Sequence, residues 1–325
     1  MQGGSQATVF VDARRGAYRW RLHRLGQRET LVRGRSRRPL LSVRMPRRPS
    51  GVYLLELRSG THRAKVPLAV NGPGRQKVLV VLPLVTWQGR NQADDDGDGL
   101  PNTLETGGPV RIARPFAGSG EPPGFARHES PLLRLLDRPR RRYDLETDYR
   151  LARRKQSYLD RYGGIVIASD ARWVEPRLAA RLRRYVARGG RVFSLGTRSL
   201  RRDVQARSGL LVRPSGESAY DVFGSVIDPL SSGKVDLLAA ADGIGLFEGG
   251  DGSFSAFEGY EVTRSPGEDA RIVSAAQTAE GRQVIVAIRT GEGLVIRTGL
   301  RTFAQRVANP NVSTLIRRVW EVFSQ

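Results

Sequence analysis

The chain has 325 residues, no cysteine, 39% apolar residues and a formal charge of +22. The absence of cysteine excludes disulfides, thiolate nucleophiles and thiolate metal sites, and the absence of any run near 18 apolar residues excludes a membrane-spanning helix. The charge is almost all arginine, with lysine only at 65, 77, 155 and 234, and it is scattered over every segment. Basic runs at residues 33–38 and 138–142 have no interleaved aromatics, so no specific nucleic-acid binding is expected. Contact with an envelope polyanion stays open as a role for the arginine-rich surface.

The length allows two domains, each with its own core. The opening MQGGSQATVF has no basic stretch followed by an apolar one, so no signal peptide is visible in this chain, and the start reads as if a leader had been removed. Residues 1–74 read as a small antiparallel β-sandwich of Ig-like type. The runs TVFVDA, AYRWRLHRL, PLLSVRM, GVYLLELRS and AKVPLAV are short, several alternate, and Gly, Pro and Ser clusters separate them. The linker NGPG at 71–74 ends this unit. No catalytic constellation lies in it, so it reads as a support or docking module.

From residue 75 to 325 the pattern becomes α/β. KVLVVLPL is a continuous apolar run of the kind buried on both faces of a parallel sheet. A twelve-residue segment, DDDGDGLPNTLE, follows closely, and with Asp94 as position 1 it places Asp94, Asp96 and Asp98 at 1, 3 and 5. Gly99 falls at 6, the Leu100 carbonyl at 7, Asn102 at 9 and Glu105 at 12. That is the spacing of a calcium loop, because a hard cation needs six to eight oxygens and only side chains on alternate residues of a tight loop supply them. A solvated acidic turn is the alternative. The expected ligands are therefore Asp94, Asp96, Asp98, Leu100, Asn102 and Glu105, holding one structural Ca²⁺ in an insertion at about 94–125. Long flanking amphipathic helices are absent, and Pro101 with Gly107 and Gly108 suits a loop, so the segment resembles the DxDxDGLPxxxE repeats of thrombospondin type 3 modules.

Further along, a helix is predicted at 130–136, an extended piece at 143–148 and a short helix near 151–161. GIVIAS at 164–169 reads as a second buried strand. The clearest helix is 175–188, with Pro176 in its first turn, Gly189-Gly190 after its end, and Leu178, Leu182, Tyr185 and Val186 in one stripe. RVFSL at 191–195 returns as a strand, giving the strand–helix–strand order of a doubly wound sheet. A β-rich segment at about 208–300 carries VDLLAAA, IGLFEGG, RIVSAAQ, QVIVAIR and GLVIRTG, some of which extend the sheet, and an amphipathic helix at 312–323 closes the chain.

Three blocks carry a family resemblance: PSGVYLLELRSG with VPLAV; VLVVLPLVTWQGRN; and YDLETD, YGGIVIASDARW and GGRVFSLGTRSLRR. In order and spacing they resemble the large (beta) subunit of N,N-dimethylformamidase and its relatives, from about residue 49 to 203 and more loosely to the end. The resemblance implies a β-sandwich followed by a class I glutamine amidotransferase-like, flavodoxin-like α/β domain. A class I amidotransferase nucleophile would sit on the turn that here is Gly196-Thr197, and no cysteine exists, so that chemistry is absent. The resemblance also implies a mononuclear iron held by two tyrosines and a glutamate. The matching blocks read TWQGRN and ASDARW, with Trp87 and Arg90 in the first and Ala171 and Arg172 in the second. Neutral and cationic residues cannot replace anionic oxygen donors, so iron is not expected.

Other carboxylates near the strand ends, Asp170 with Asp144, Glu146 and Asp148 and the Thr86 hydroxyl, are candidates for one acid–base crevice. The competing expectation is that Asp170 caps the next helix or pairs with an arginine. Trp87 and Asn91 are read as fixing the turn into the calcium loop. His23, His62 and His128 have no partner at metal or triad spacing and are assigned no role. The favoured reading is a calcium-binding, exported and catalytically diverged or non-catalytic member of the dimethylformamidase large-subunit-like family. The alternatives are a metal-dependent amidohydrolase acting on a linear amide C–N bond and an envelope or polyanion-binding module. Loops of this type in extracellular modules bind calcium weakly, which points to the extracellular space or cell envelope.

Overall fold

The computed structural model describes residues 1–12, 16–72, 74, 76–137 and 141–325; most of the basic run at 138–142 and part of the 71–74 linker lie outside them. Strands β1 (Gln6–Phe10), β2 (Tyr18–Arg24), β3 (Thr30–Ser36), β4 (Leu40–Arg44), β5 (Gly51–Ser59) and β6 (His62–Val70) form two antiparallel sheets. One pairs β1 with β4 and the other runs β3-β2-β5-β6. Period-two alternation puts Tyr18 and Leu22 of β2 and Tyr53, Leu55 and Leu57 of β5 on one face, where they meet Ala7, Leu41, Val43 and Met45 in a single buried cluster. Strand β3 was not anticipated. Its sequence TLVRGRS buries no residue fully, because it is an edge strand held by main-chain pairing to β2 alone.

Beyond them a nine-stranded sheet uses β7 (Val78–Leu82), β9 (Asp144–Thr147), β10 (Gly164–Ile167), β12 (Arg191–Ser194), β17 (Ser231–Asp242), β18 (Ser253–Tyr260), β20 (Ala270–Gln277), β21 (Gln283–Thr290) and β22 (Gly293–Arg297). Two short pairs, β11 (Trp173–Val174) with β13 (Arg202–Asp203) and β16 (Val226–Ile227) with β19 (Thr263–Ser265), and one three-stranded sheet, β14 (Gln205–Arg207), β15 (Leu210–Val212) and β8 (Val110–Arg111), lie beside it. The large sheet runs β18-β17-β20-β21-β22-β12-β10-β7-β9. Strands β9, β7, β10, β12 and β22 are parallel, and the remaining four are antiparallel. All five residues of β7 are buried, as a strand covered on both faces requires.

The helices are α1 (Leu84–Gly89), α2 (Glu129–Leu136), α3 (Asp148–Leu151), α4 (Gln156–Leu159), α5 (Pro176–Ala187) and α6 (Pro310–Ser324). Val78, Val80 and Leu82 pack under α2 and α6 on one face. Leu79 and Val81 pack under α3, α4 and α5 on the other. The single helix expected at 151–161 is two short turns, because Lys155 is extended and breaks the run. IGLFEGG is a turn rather than a strand, since the Asp242 carboxylate accepts the N–H groups of Leu246 and Phe247 at 2.5 and 2.8 Å. The strand at Ser253–Tyr260 was missed. GLVIR does return to the core, between β12 and β21.

The sandwich is fastened to the end of α2 through Arg24, whose guanidinium reaches Asp137 at 2.7 and 2.8 Å and also donates to the sandwich's own Ser50 carbonyl at 2.8 Å. Leu25, Val52 and Leu54 join the same buried cluster as α2. No helix among the described residues is long and apolar enough to cross a membrane.

Candidate functional site

The parallel strands end on one side of the sheet, where open α/β folds place their ligands. Here β7 leads into α1, β10 into Ser169-Asp170, and β12 into Gly196-Thr197. Ser169 has φ 93, a left-handed conformation uncommon outside glycine, so the backbone turns sharply at the end of β10. The Asp148 carboxylate accepts the Val85 N–H at 3.1 Å and anchors the start of α1. Full burial raises the Asp148 carboxyl to about 7, against its backbone hydrogen bonds.

The carboxylates named in the sequence do not converge. Asp144 lies near the opposite end of its strand, bonded to Ser50 and Tyr162. Glu146 pairs with Arg154 at 3.0 Å and with Arg150 at 3.5 Å. Asp170 pairs with Arg172 at 3.0 Å, which is the arginine pairing weighed in the sequence. The Thr86 hydroxyl accepts the Trp173 N–H at 3.4 Å. Asn91 fixes the loop, donating to Gln88 and the Pro115 carbonyl and accepting from Ala117.

What the fold does gather is Glu129, from the first turn of α2. It is 3% exposed, with Trp87 and Ser169 beside it and Asp170 within electrostatic range. Glu129 Oε2, Trp87 Nε1 and Asp170 Oδ1 are buried with no well-aligned hydrogen-bond partner. Burial pushes the Glu129 carboxyl up to about 8, only partly offset by these donors, so the group is mainly uncharged at neutral pH. Burial also lowers the neighbouring His128 and Arg90. Nothing in the local sequence marked Glu129, because its chemistry comes from burial under Trp87 and not from spacing.

The residues at the positions that resemble an iron site do not fit one. Arg90 and Arg172 bring cations into the same neighbourhood, and Trp87 and Ala171 offer no oxygen donor. A cation that needs anionic oxygens finds none at these four positions.

The acidic loop is built differently. Oxygens of Asp94, Asp96 and Asp98 lie within 4.8 Å of one another, all three residues exposed. Asp94 accepts the N–H of Gly97 at 2.6 Å and of Gly99 at 2.9 Å, which holds its carboxyl below the usual range. Both glycines have positive φ, 80 and 86, and Gly99 stands at the sixth position, where a calcium loop needs its sharp turn. Asn102 accepts from the Asp95 N–H and donates to Asp96 at 3.2 Å. Leu100 is exposed, with its N–H bonded to Asp98.

Glu105 points elsewhere, to Arg172 at 3.1 Å and Arg202 at 2.7 Å. Burial opposes its charge, but the two arginines more than offset that and lower its pKa. The three aspartates thus supply a convergent oxygen set suited to a hard cation, and the twelfth position is engaged in ion pairs.

Sequence reasoning missed the clamp of this loop. Arg114, 8% exposed, donates to the carbonyls of Gln88, Asn91, Ala93 and Asn102 and pairs with Asp95 at 2.9 Å. Leu104 seats the loop in a small core with Val85, Val110, Trp173, Val204 and Leu211.

In class, the molecule is a mixed α/β protein, rich in sheet, with an acidic loop that follows the first of its parallel strands. The family model for N,N-dimethylformamidase beta subunit-like proteins, C-terminal, matches residues 26–209, more than half of the chain, and the chain belongs to that family. No curated protein matches it. Solved structures with a similar arrangement include a beta-galactosidase from Bacillus circulans sp. alkalophilus, at 15% identity and TM-score 0.44, covering 76% of this chain and 31% of that one. A cold-adapted beta-galactosidase from Rahnella sp. R3 has 14% identity and TM-score 0.42, with coverage of 59% and 26%. An exo-beta-1,4-mannosidase from Opitutaceae bacterium strain TAV5 has 12% identity and TM-score 0.43, with coverage of 76% and 36%. This chain therefore spans about a quarter to a third of those proteins.

Proposed function

We propose that this is a calcium-stapled, catalytically diverged member of the dimethylformamidase beta subunit-like family, acting outside the cytoplasm. The observation that carries the calcium reading is the Asp94, Asp96 and Asp98 cluster, preorganised by the N–H groups of Gly97 and Gly99. The Leu100 carbonyl and Asn102 complete the near side of the cage, and Glu105 closes it by exchanging Arg172 and Arg202 for the ion. Divergence is supported by Arg90, Ala171 and Arg172 at the positions that resemble an iron site. An Ig-like sandwich at 1–74 and an amidotransferase-like domain at 75–325 are the architecture we assign, supported by the two-sheet cluster and the five parallel strands.

Thermal unfolding in EDTA and then in millimolar Ca²⁺ tests the loop. Calcium at about ten times its Kd contributes roughly 1.4 kcal/mol. Asp96→Ala is expected to abolish the shift, and Glu105→Ala to reduce it if the exchange occurs. An unchanged melting temperature in wild type at 10 mM Ca²⁺ sinks the proposal.

A second reading, hydrolysis of a linear amide C–N bond at the parallel strand ends, rests on Glu129 as a buried proton donor. It requires turnover of N,N-dimethylformamide or formamide that Glu129→Gln removes.

A further inference from the structure

The outer face of the β3-β2-β5-β6 sheet carries a charge pattern that the calcium reading does not use. Strand register sets Arg35 opposite Arg19, Arg19 opposite Arg58 and Arg58 opposite Arg63, so four arginines form one row across four strands. The adjoining row reads Arg33, Arg21, Glu56, Lys65. Tyr18, Leu22, Leu55 and Leu57 of the same strands point the other way, into the sandwich core. A groove of about 930 Å³ runs over this face, lined by Arg19, Arg21, Arg33, Arg35, Arg58 and Arg63 among others.

Glu56 is the single carboxylate there, and it is already held by Arg21 and His23 at 2.6 and 3.3 Å. Among the described residues no carboxylate pairs with Arg19, Arg33, Arg35, Arg58, Arg63 or Lys65, and all six are exposed. Like charges directly opposite each other across strands are destabilising. A row of four is therefore an arrangement that folding alone does not favour, and an external anion would relieve it.

We infer that this face binds a linear acidic polysaccharide, one bearing carboxylate or sulfate groups along its length. Planar guanidinium forks match both groups bidentately, and rows on a sheet repeat at about 5 Å across strands and about 7 Å along them, which suits a regular chain of charges. Nucleic acid is disfavoured because single strands are held by base stacking on aromatic rings. Trp20 borders the groove, but its ring lies over Gly34 and packs toward the sandwich core, so it offers no stacking platform there.

Fluorescence anisotropy of the full chain with labelled heparin, with polygalacturonate as competitor, tests the inference from 50 to 300 mM NaCl. Binding is expected to fall with salt and to be about tenfold weaker at 150 mM in Arg19→Gln/Arg58→Gln. The control pair Arg177→Gln/Arg184→Gln removes the same charge from the exposed face of α5 and is expected to change affinity less than about twofold. The Arg19/Arg58 variant should melt at or above the wild-type temperature, since it relieves repulsion, and a lower melting temperature contradicts the row's strain. Equal weakening by both pairs, or no binding at 150 mM, overturns the inference. Tighter binding to a 20-nucleotide single strand or duplex than to either polysaccharide replaces it with nucleic-acid binding.

Discussion

Asp137→Ala is expected to destabilise the protein by about 3–5 kcal/mol in urea unfolding, the usual consequence of stranding one partner of a buried ion pair. The Arg24 and Asp137 side chains are only 8% and 7% exposed. Burial works against the Arg24 charge, and the Asp137 hydrogen bonds more than offset it, so its pKa is raised. Removing the carboxylate leaves that cation without a counter-charge and also orphans the Tyr143 hydroxyl, which donates to Asp137 at 2.6 Å. The double change Arg24→Met/Asp137→Leu should cost less than Asp137→Ala, because it removes both charges together. If Asp137→Ala costs under about 1 kcal/mol, water reaches the pair and the joint between sandwich and sheet is not held there.

The second large effect is in pH. The Glu129 carboxyl stands at about 8 in the fold, against roughly 4.3 in an unfolded chain. Below the unfolded value both states are protonated and the stability is fully present. As pH rises the unfolded carboxyl ionises while the folded one keeps its proton, so stability falls until pH passes the folded value. The loss is on the order of a few kcal/mol by pH 8.5, and Asp148, at about 7, adds to it over a narrower window. Glu129→Gln keeps the shape without the ionisation. It should match wild type near pH 4 and be more stable at pH 8.5 by chemical denaturation. Equal stabilities at both pH values would mean that Glu129 is ionised in the fold, stabilised by Arg90, and would remove it as a proton donor.

Much of the architecture was legible because it rests on local rules. The buried run Val78–Leu82 and the helix 176–187 announce themselves by apolar period and by Pro and Gly at the helix ends. The acidic loop was legible for the same reason, since Asp94, Asp96, Asp98 and the two glycines are close in sequence and their cluster needs only one turn. Strand β3 was not, since an edge strand held by main-chain bonds needs no apolar pattern.

Side chains distant in sequence were decided by the tertiary structure alone. Glu105 lies seven residues past Asp98, yet Arg172 and Arg202 claim it, because the β10 and β12 connections bring those arginines beside the loop. Arg114 grips four carbonyls that only the folded loop assembles. Glu129 acquires its raised pKa from burial, which spacing does not encode. The arginine row is the clearest instance. Arg35, Arg19, Arg58 and Arg63 are scattered cations in the sequence and become one row only through strand register. By itself the sequence determined the strands, helices and carboxylate spacings set within a few residues. The tertiary structure decided which charges meet, because electrostatic pairing depends on distance in space and on exclusion of water, and neither can be read from order along the chain.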